Sequence, residues 1–257
     1  MTLLRDVRHA LRLLRRTPGF TGVAVLVLAL GIGVNAAVFS VVNTLVLQPR
    51  PGRIDRALGV FSRERSKPDH YRDFSYPAYT DLRDRSNVFE SLMAHTFSTI
   101  GVGEGDAVKQ TFAALVSANY FETLGVPLAA GRPFTLDEER PGTRAPVAIA
   151  SYAVWRKTGL SPSFVGSTVR VNGTPVTVVG VTARTFTGTM TLMSPQWWFP
   201  LGSYDIIMNE MFRQSAAAFD DRANHALNLT GAVRPGLRSG LSSGANAVSC
   251  KGITPAQ

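Results

Sequence analysis

A single cysteine, Cys250, occurs in the 257 residues. No intrachain disulfide can form, and no multi-cysteine zinc site can be built. There is no G-x-x-x-x-G-K-[ST] loop, so this chain does not hydrolyse ATP through a P-loop. His9, His70, His95 and His225 lie far apart in sequence, with no H-E-x-x-H spacing among them; the usual histidine metal motifs are therefore missing. Internal repeats are absent, which excludes solenoids and collagen. Charged residues make up only 18% of the chain and apolar residues 45%, a balance that excludes a disordered polymer. The most informative absence is local. Between Thr17 and Pro49 there is no Asp, Glu, Lys or Arg, and an ordinary soluble protein does not carry such a stretch.

The uncharged stretch holds FTGVAVLVLALGIGVNAAVFSVVNTLVL, Phe20 to Leu47. As a helix it would be roughly 42 Å long against a hydrocarbon core of about 30 Å. It predicts a transmembrane helix over residues 19–48. A cleaved signal peptide has a shorter apolar run, and a buried soluble helix of this length is rare. Ala29, Gly33 and Ala37 recur every four residues. Small residues at that spacing let a second helix approach closely in lipid, with Asn35 or Asn43 expected to hydrogen-bond across the contact. The alternative is a small-residue stripe that faces lipid with no partner.

Ahead of this run, Leu4, Val7, Leu11 and Leu14 fall on one helical stripe, surrounded by Arg5, Arg8, Arg12, Arg15 and Arg16. Residues 1–18 thus read as a basic amphipathic segment suited to an anionic cytoplasmic membrane surface, broken at Pro18-Gly19. Arg50, Arg53, Arg56 and Arg63 follow the span, so the positive-inside bias is thin. The short basic N-terminus is still the end expected in the cytoplasm, because large domains translocate largely regardless of charge.

Residues 49–234 alternate between short strand-like and helix-like pieces. Pro77 marks the first turn of a helix running to about Ser86. Thr96–Val102 and Thr111–Val116 read as strands about a GVGEGD turn. Ser117 is expected to cap a short helix through Leu124, ended by Gly125. Pro146–Ala150 reads as a strand, and Ser151 as the cap of a helix carrying Tyr152 and Trp155. Two β-rich runs flank Asn172-Gly173, the preferred type I′ hairpin turn, since both central residues need positive φ. Gln196–Pro200, with its Trp pair, reads as a strand whose aromatics pack inside. Residues 235–257 are rich in Gly and Ser, with little periodicity, and read as a disordered or aberrant tail.

Little in this body suggests catalysis. Gly240–Gly244 matches G-x-S-x-G, but no strand precedes it, and that motif works only on a sharp strand-to-helix turn. The Asp137-Glu138-Glu139 run sits between Gly/Pro-rich segments and reads as a solvated loop. The formal net charge of +9 is scattered rather than clustered with aromatics, so no nucleic acid partner is expected. No catalytic residue, cofactor or metal is expected.

Several ordered blocks resemble the MacB-like, or FtsX-like, ABC transporter permeases. They are DVRHALRLLRRTPGFTGVAVLVLALGIGVNAAVFSVVNTLVLQP, DFSYPAYTDLRDRSNVFESLMA, VSANYFETLGVPLAAGRPFTLDEE, PVAIASYAVWRK, VGSTVRVNGTPVTVVGV and WWFPL. The resemblance covers roughly residues 5–235. It implies an α+β chain: a first helix entering from the cytoplasm, then a mixed α/β, two-lobed periplasmic core domain over 49–234. It also implies an ABC ATPase subunit as partner, a full-length permease or a second copy of the chain, and a periplasmic adaptor. Three further membrane helices follow in that family and do not occur in these residues, so the reading is of a truncated subunit of an efflux or mechanotransmission permease in the inner membrane. The alternative is a stand-alone, single-pass periplasmic binding or scaffolding module.

Overall fold

The computed structural model describes residues 18–42, 57–64, 67–190, 194–212, 217–234 and 247–249. The basic segment 1–17, Asn43 and the Gly240–Gly244 motif lie outside the described residues. The chain divides into two compact units, Met1–Pro49 and Arg50–Gln257.

The described part of the first unit is one helix, α1, Pro18–Val42. Its 25 residues span roughly 37 Å at 1.5 Å per residue. Leu26, Leu28, Leu30 and Phe39 are all exposed. None of the Pro18–Ala37 window is buried inside the chain, so α1 is not the core helix of a soluble fold. Among the described residues it is the only helix long and apolar enough to cross a membrane.

The second unit is built on one mixed sheet. Its strands are β1 (Ala57–Glu64), β2 (Lys67–Arg72), β3 (Phe89–Val102), β4 (Lys109–Val116), β5 (Leu128–Gly131), β6 (Val147–Ala150), β7 (Thr168–Val171), β8 (Thr174–Thr182), β9 (Trp197–Pro200), β10 (Asn228–Val233) and β11 (Ala247–Ser249). The order across the sheet is β11-β1-β10-β3-β4-β9-β6-β8-β5, with β2 on β1 and β7 bridging β3 and β8. The helices are α2 (Tyr76–Arg85), α3 (Tyr120–Thr123), α4 (Leu136–Glu139), α5 (Tyr152–Lys157) and α6 (Tyr204–Ile207).

Strand period explains where the core sits. Successive side chains point to opposite faces, so interior strands feed two hydrophobic clusters at once. Ala113 and Leu115 of β4, with Trp197 and Phe199 of β9, join Tyr79 and Leu82 of α2 on one face. Ala114, Val116, Ile149 and Trp198 meet Tyr120, Phe121 and Phe186 on the other. The domain carries a hydrophobic core on each face of its sheet.

Local signals account for several elements. Ser75 caps α2, accepting from Ala78 N–H at 3.4 Å, and Pro77 lies in the first turn. Ser151 caps α5, accepting from Val154 N–H at 3.2 Å. Asn172 (φ 49°) and Gly173 (φ 78°) join β7 to β8. Asn172 has a second role: its side-chain Oδ1 accepts from Gly101 N–H at 2.9 Å, and its backbone N–H donates to Gly101 O at 2.8 Å. That turn is thereby fastened to the end of β3.

Four expectations are corrected. Strand β3 starts at Phe89, not Thr96, because residues from Phe89 onward pair with β10, far away in sequence. Ser117 does not cap α3. Its hydroxyl accepts from Ala94 N–H at 3.1 Å and donates to Asn119 Oδ1 at 2.8 Å, and the helix begins only at Tyr120. The run Asp137–Glu139 belongs to helix α4, with a capping box between Thr135 and Glu138, and Glu139 is buried. Within 235–257, Ala247–Ser249 form strand β11, parallel to β1.

Candidate functional site

On α1, Ala29, Gly33 and Ala37 are exposed, and a Cβ added at Gly33 would meet nothing within 4 Å. Asn35 is exposed too. At 3.6 residues per turn, Asn35 lies about 200° around the helix from Gly33. A partner helix packed on the small-residue stripe therefore leaves Asn35 on the opposite side.

In the second unit β1 and β10, the first and the second-last strands, are hydrogen-bonded antiparallel neighbours. Ala57 faces Ala232, and Val233 faces Phe89 at the start of β3. Arg234 N–H donates to Val88 O at 3.1 Å, and Arg234 Nε–H to Phe89 O at 3.3 Å. The start of β1 and the end of β10 thus lie side by side at one end of the sheet. From there β3 runs 14 residues, roughly 45 Å. At the far end it meets the β7–β8 turn, and Ser98 Oγ donates to Ile207 O at 3.0 Å and accepts from Asn209 N–H at 2.9 Å.

Beside this base lies a buried ionic clamp. Glu139 of α4, 1% exposed, accepts from Ala118 N–H at 2.7 Å and from Arg83 Nη1 at 3.0 Å. Arg83 also donates to both Asp84 oxygens, at 2.8 and 3.3 Å, and lies over the Tyr79 ring at 5.2 Å. Burial pushes the Glu139 carboxyl up, while the Ala118 N–H and Arg83 pull it back. Burial, then the Glu139 charge, pushes the Tyr76 and Tyr79 phenols up to about 12. The clamp ties α4, α2 and the β4–α3 turn together, and that turn is itself held to β3 by Asn119 Nδ2 donating to Leu92 O at 2.9 Å. A cleft of about 360 Å³ opens next to it, lined in part by Arg83, Glu90, Asn119, Glu122 and Ala232.

On the other face of the sheet, His95 sits 8% exposed against Phe97 and Tyr120. Burial pushes its pKa down to about 4. Among the described residues no group of three or more His, Cys, Asp or Glu could hold a metal ion.

The class so defined is an α+β domain that follows a long apolar helix in the chain. The chain belongs to the MacB-like periplasmic core domain family, whose sequence model matches residues 21–238. The periplasmic region of MacB from Actinobacillus actinomycetemcomitans shares the fold, with a TM-score of 0.50 at 14% identity, over 72% of this chain and 79% of that one. A domain of a putative permease from Porphyromonas gingivalis aligns with a TM-score of 0.49 at 16% identity, over 73% of this chain and 81% of that one. The extracellular domain of the noncanonic ABC-type transporter YknZ from Gram-positive bacteria aligns with a TM-score of 0.48 at 14% identity, over 71% and 87%. No curated protein sequence matches the chain.

Proposed function

We propose that this chain is a membrane subunit of an ABC-type efflux or mechanotransmission permease. In this reading α1 crosses the inner membrane, the N-terminus is cytoplasmic and the domain is periplasmic. The observation that carries it is the pairing of β1 with β10. The start of β1, which follows α1 in the chain, lies beside the end of β10, so displacement of one strand against the other loads their shared ladder in shear. Strand β3, paired to β10 along its first half, passes that load to the turns at the far end of the sheet. ATP is hydrolysed by an ABC ATPase partner, a reading that the match to the MacB-like periplasmic core domain family supports. The remaining partners are a permease chain or second copy, met through Ala29, Gly33 and Ala37 in lipid, and a periplasmic adaptor on the domain.

The test is affinity purification of the full chain from its native membranes in mild detergent. Co-purification of an ABC ATPase with a multi-span permease, in fixed ratio, supports the reading. Recovery of the chain alone, or with soluble periplasmic proteins only, contradicts it and leaves the stand-alone anchored module.

A further inference from the structure

The two sides of the sheet end differently. At one side stands β5, four residues long, with its register broken between Leu128 and Ala130 and with Pro127 and Arg132-Pro133 at its ends. Shortness, an irregular ladder, proline and charge are the usual devices that keep a sheet edge from pairing with another chain. At the other side the row runs β10-β1-β11. Ala57–Phe61 of β1 carries neither proline nor charge, and its ladder with β10 runs from Ala57 to Val60 without a register shift. Such a strand is an open template for a further one.

What covers that template is slight. β11 pairs Ala247, Val248 and Ser249 with Gly59, Val60 and Phe61, in parallel. Three residues make a short strand against the usual five or six, and parallel pairing is slightly weaker per residue than antiparallel. β11 is therefore held by few bonds, and it lies at the end of the row, where leaving disturbs no other strand pair. The register also sets what the edge asks of an added strand. Val60 is buried, whereas Phe61 beside it is exposed. A residue opposite Val60 shares its face, so an apolar side chain fits there, with small or polar residues on either side. The sequence Ala-Val-Ser at 247–249 has that pattern.

We propose that the outer edge of β1 is a strand-addition site for an extended, uncharged segment of a partner protein, with an apolar β-branched residue opposite Val60, and that Ala247–Ser249 occupy it within the chain as an autoinhibitory contact. In this mode main-chain hydrogen bonds supply the affinity and alternate side chains the selectivity. A partner strand seated there lies against the first strand of the domain, alongside the β1–β10 ladder. The assignment stands on the sheet edge alone, so its failure leaves the transport reading untouched.

The test uses the full chain in mild detergent and a fluorescein-labelled peptide of residues 244–252 carrying Cys250→Ser, read by fluorescence anisotropy. In the intact chain the tethered strand competes, and the apparent affinity falls by the fraction of edges left open. Val248→Pro in the chain, which puts proline inside β11, should tighten peptide binding about tenfold or more. Val248→Asp, which places a charge opposite Val60, should do the same, and tryptophan fluorescence during unfolding checks that both variants keep a folded domain. In amide exchange, Gly59–Phe61 should lose protection in Val248→Pro and regain it when the peptide is added. A peptide that itself carries Val248→Pro should bind none of these chains. Absence of peptide binding to both variants, or equal affinity for the intact chain and the variants, would overturn the proposal. Assembly of the variant chains into dimers that excess peptide does not dissociate would make a second copy the occupant, and would overturn it as well.

Discussion

In α1, Leu26, Leu28 and Leu30 keep between 63 and 66% of their surface exposed, whereas Leu92, Leu115 and Leu201 in the sheet domain keep at most 2%. The same side chain does opposite things in the two units. In the domain, leucine is removed from water by sheet and helix, at roughly 25 cal/mol per Å² of apolar surface. In α1 the leucines stand exposed among the described residues, and a lipid environment or another protein relieves that exposure. The first unit therefore depends on its surroundings, and the second carries its own core. Variants in the two units should separate cleanly in one readout, because Trp155, Trp197 and Trp198, the three tryptophans of the chain, all lie in the domain. Tryptophan fluorescence during unfolding reports on the domain alone.

The largest expected effect is at Trp198, fully buried against Phe121 and Phe186. Trp198→Ala should destabilise the domain by about 4 kcal/mol, whereas Leu28→Ala in α1 should leave its unfolding midpoint in place. Comparable losses from both would abolish the contrast between the units.

Next comes acid. His95 has a folded pKa of about 4 against an ordinary value of 6.5, so between those values the unfolded chain binds the extra proton. Stability falls as pH drops through that window, by about 3 kcal/mol from this group. His95→Leu should remove most of that slope between pH 7 and pH 4.5 in denaturant unfolding. A slope unchanged by the substitution would show that His95 is not the group responsible.

Glu139→Ala follows. It leaves the Ala118 N–H without its acceptor and Arg83 with Asp84 alone. Because Arg83 is partly exposed, the loss should be about 2 kcal/mol rather than the larger figure for a fully buried pair. Glu139→Gln, which keeps an acceptor for Ala118, should recover part of it; no difference between the two variants would mean that the backbone bond does not contribute.

The smallest effect belongs to α1. Gly33→Leu should weaken helix association in a membrane about tenfold if the small-residue stripe packs, with the domain's unfolding midpoint unmoved. An unaltered oligomer distribution would show that the stripe is idle.

What the residues revealed, and what they hid, divides along the same physical line. Sequence-local signals were legible: the uncharged run of α1, the Ser75 and Ser151 caps, and the Asn172-Gly173 turn with both residues at positive φ. Features set by distant pairing were not. The first half of β3 is a strand because β10 lies beside it, and Ser117 bonds across to Ala94 instead of capping the nearest helix. Glu139 reads as one of three solvated acids, but the capping box at Thr135 turns the backbone so that this residue points inward to Arg83. A threonine three residues before a glutamate was the available signal for that turn. The base of the domain, where β1 meets β10, left no local trace at all, since the partners are joined only by the fold.

The most direct test of the account places the two ends of the chain on opposite sides of the membrane. In a Cys250→Ser background, Arg8→Cys marks the N-terminal segment and Met211→Cys marks the domain, at a side chain 84% exposed. Intact cells with a permeabilised outer layer are treated with a membrane-impermeant maleimide. The account predicts labelling of Met211→Cys in intact cells and of Arg8→Cys only after lysis. Labelling of both in intact cells, or of Arg8→Cys alone, would contradict a cytoplasmic N-terminus and a periplasmic domain joined by α1.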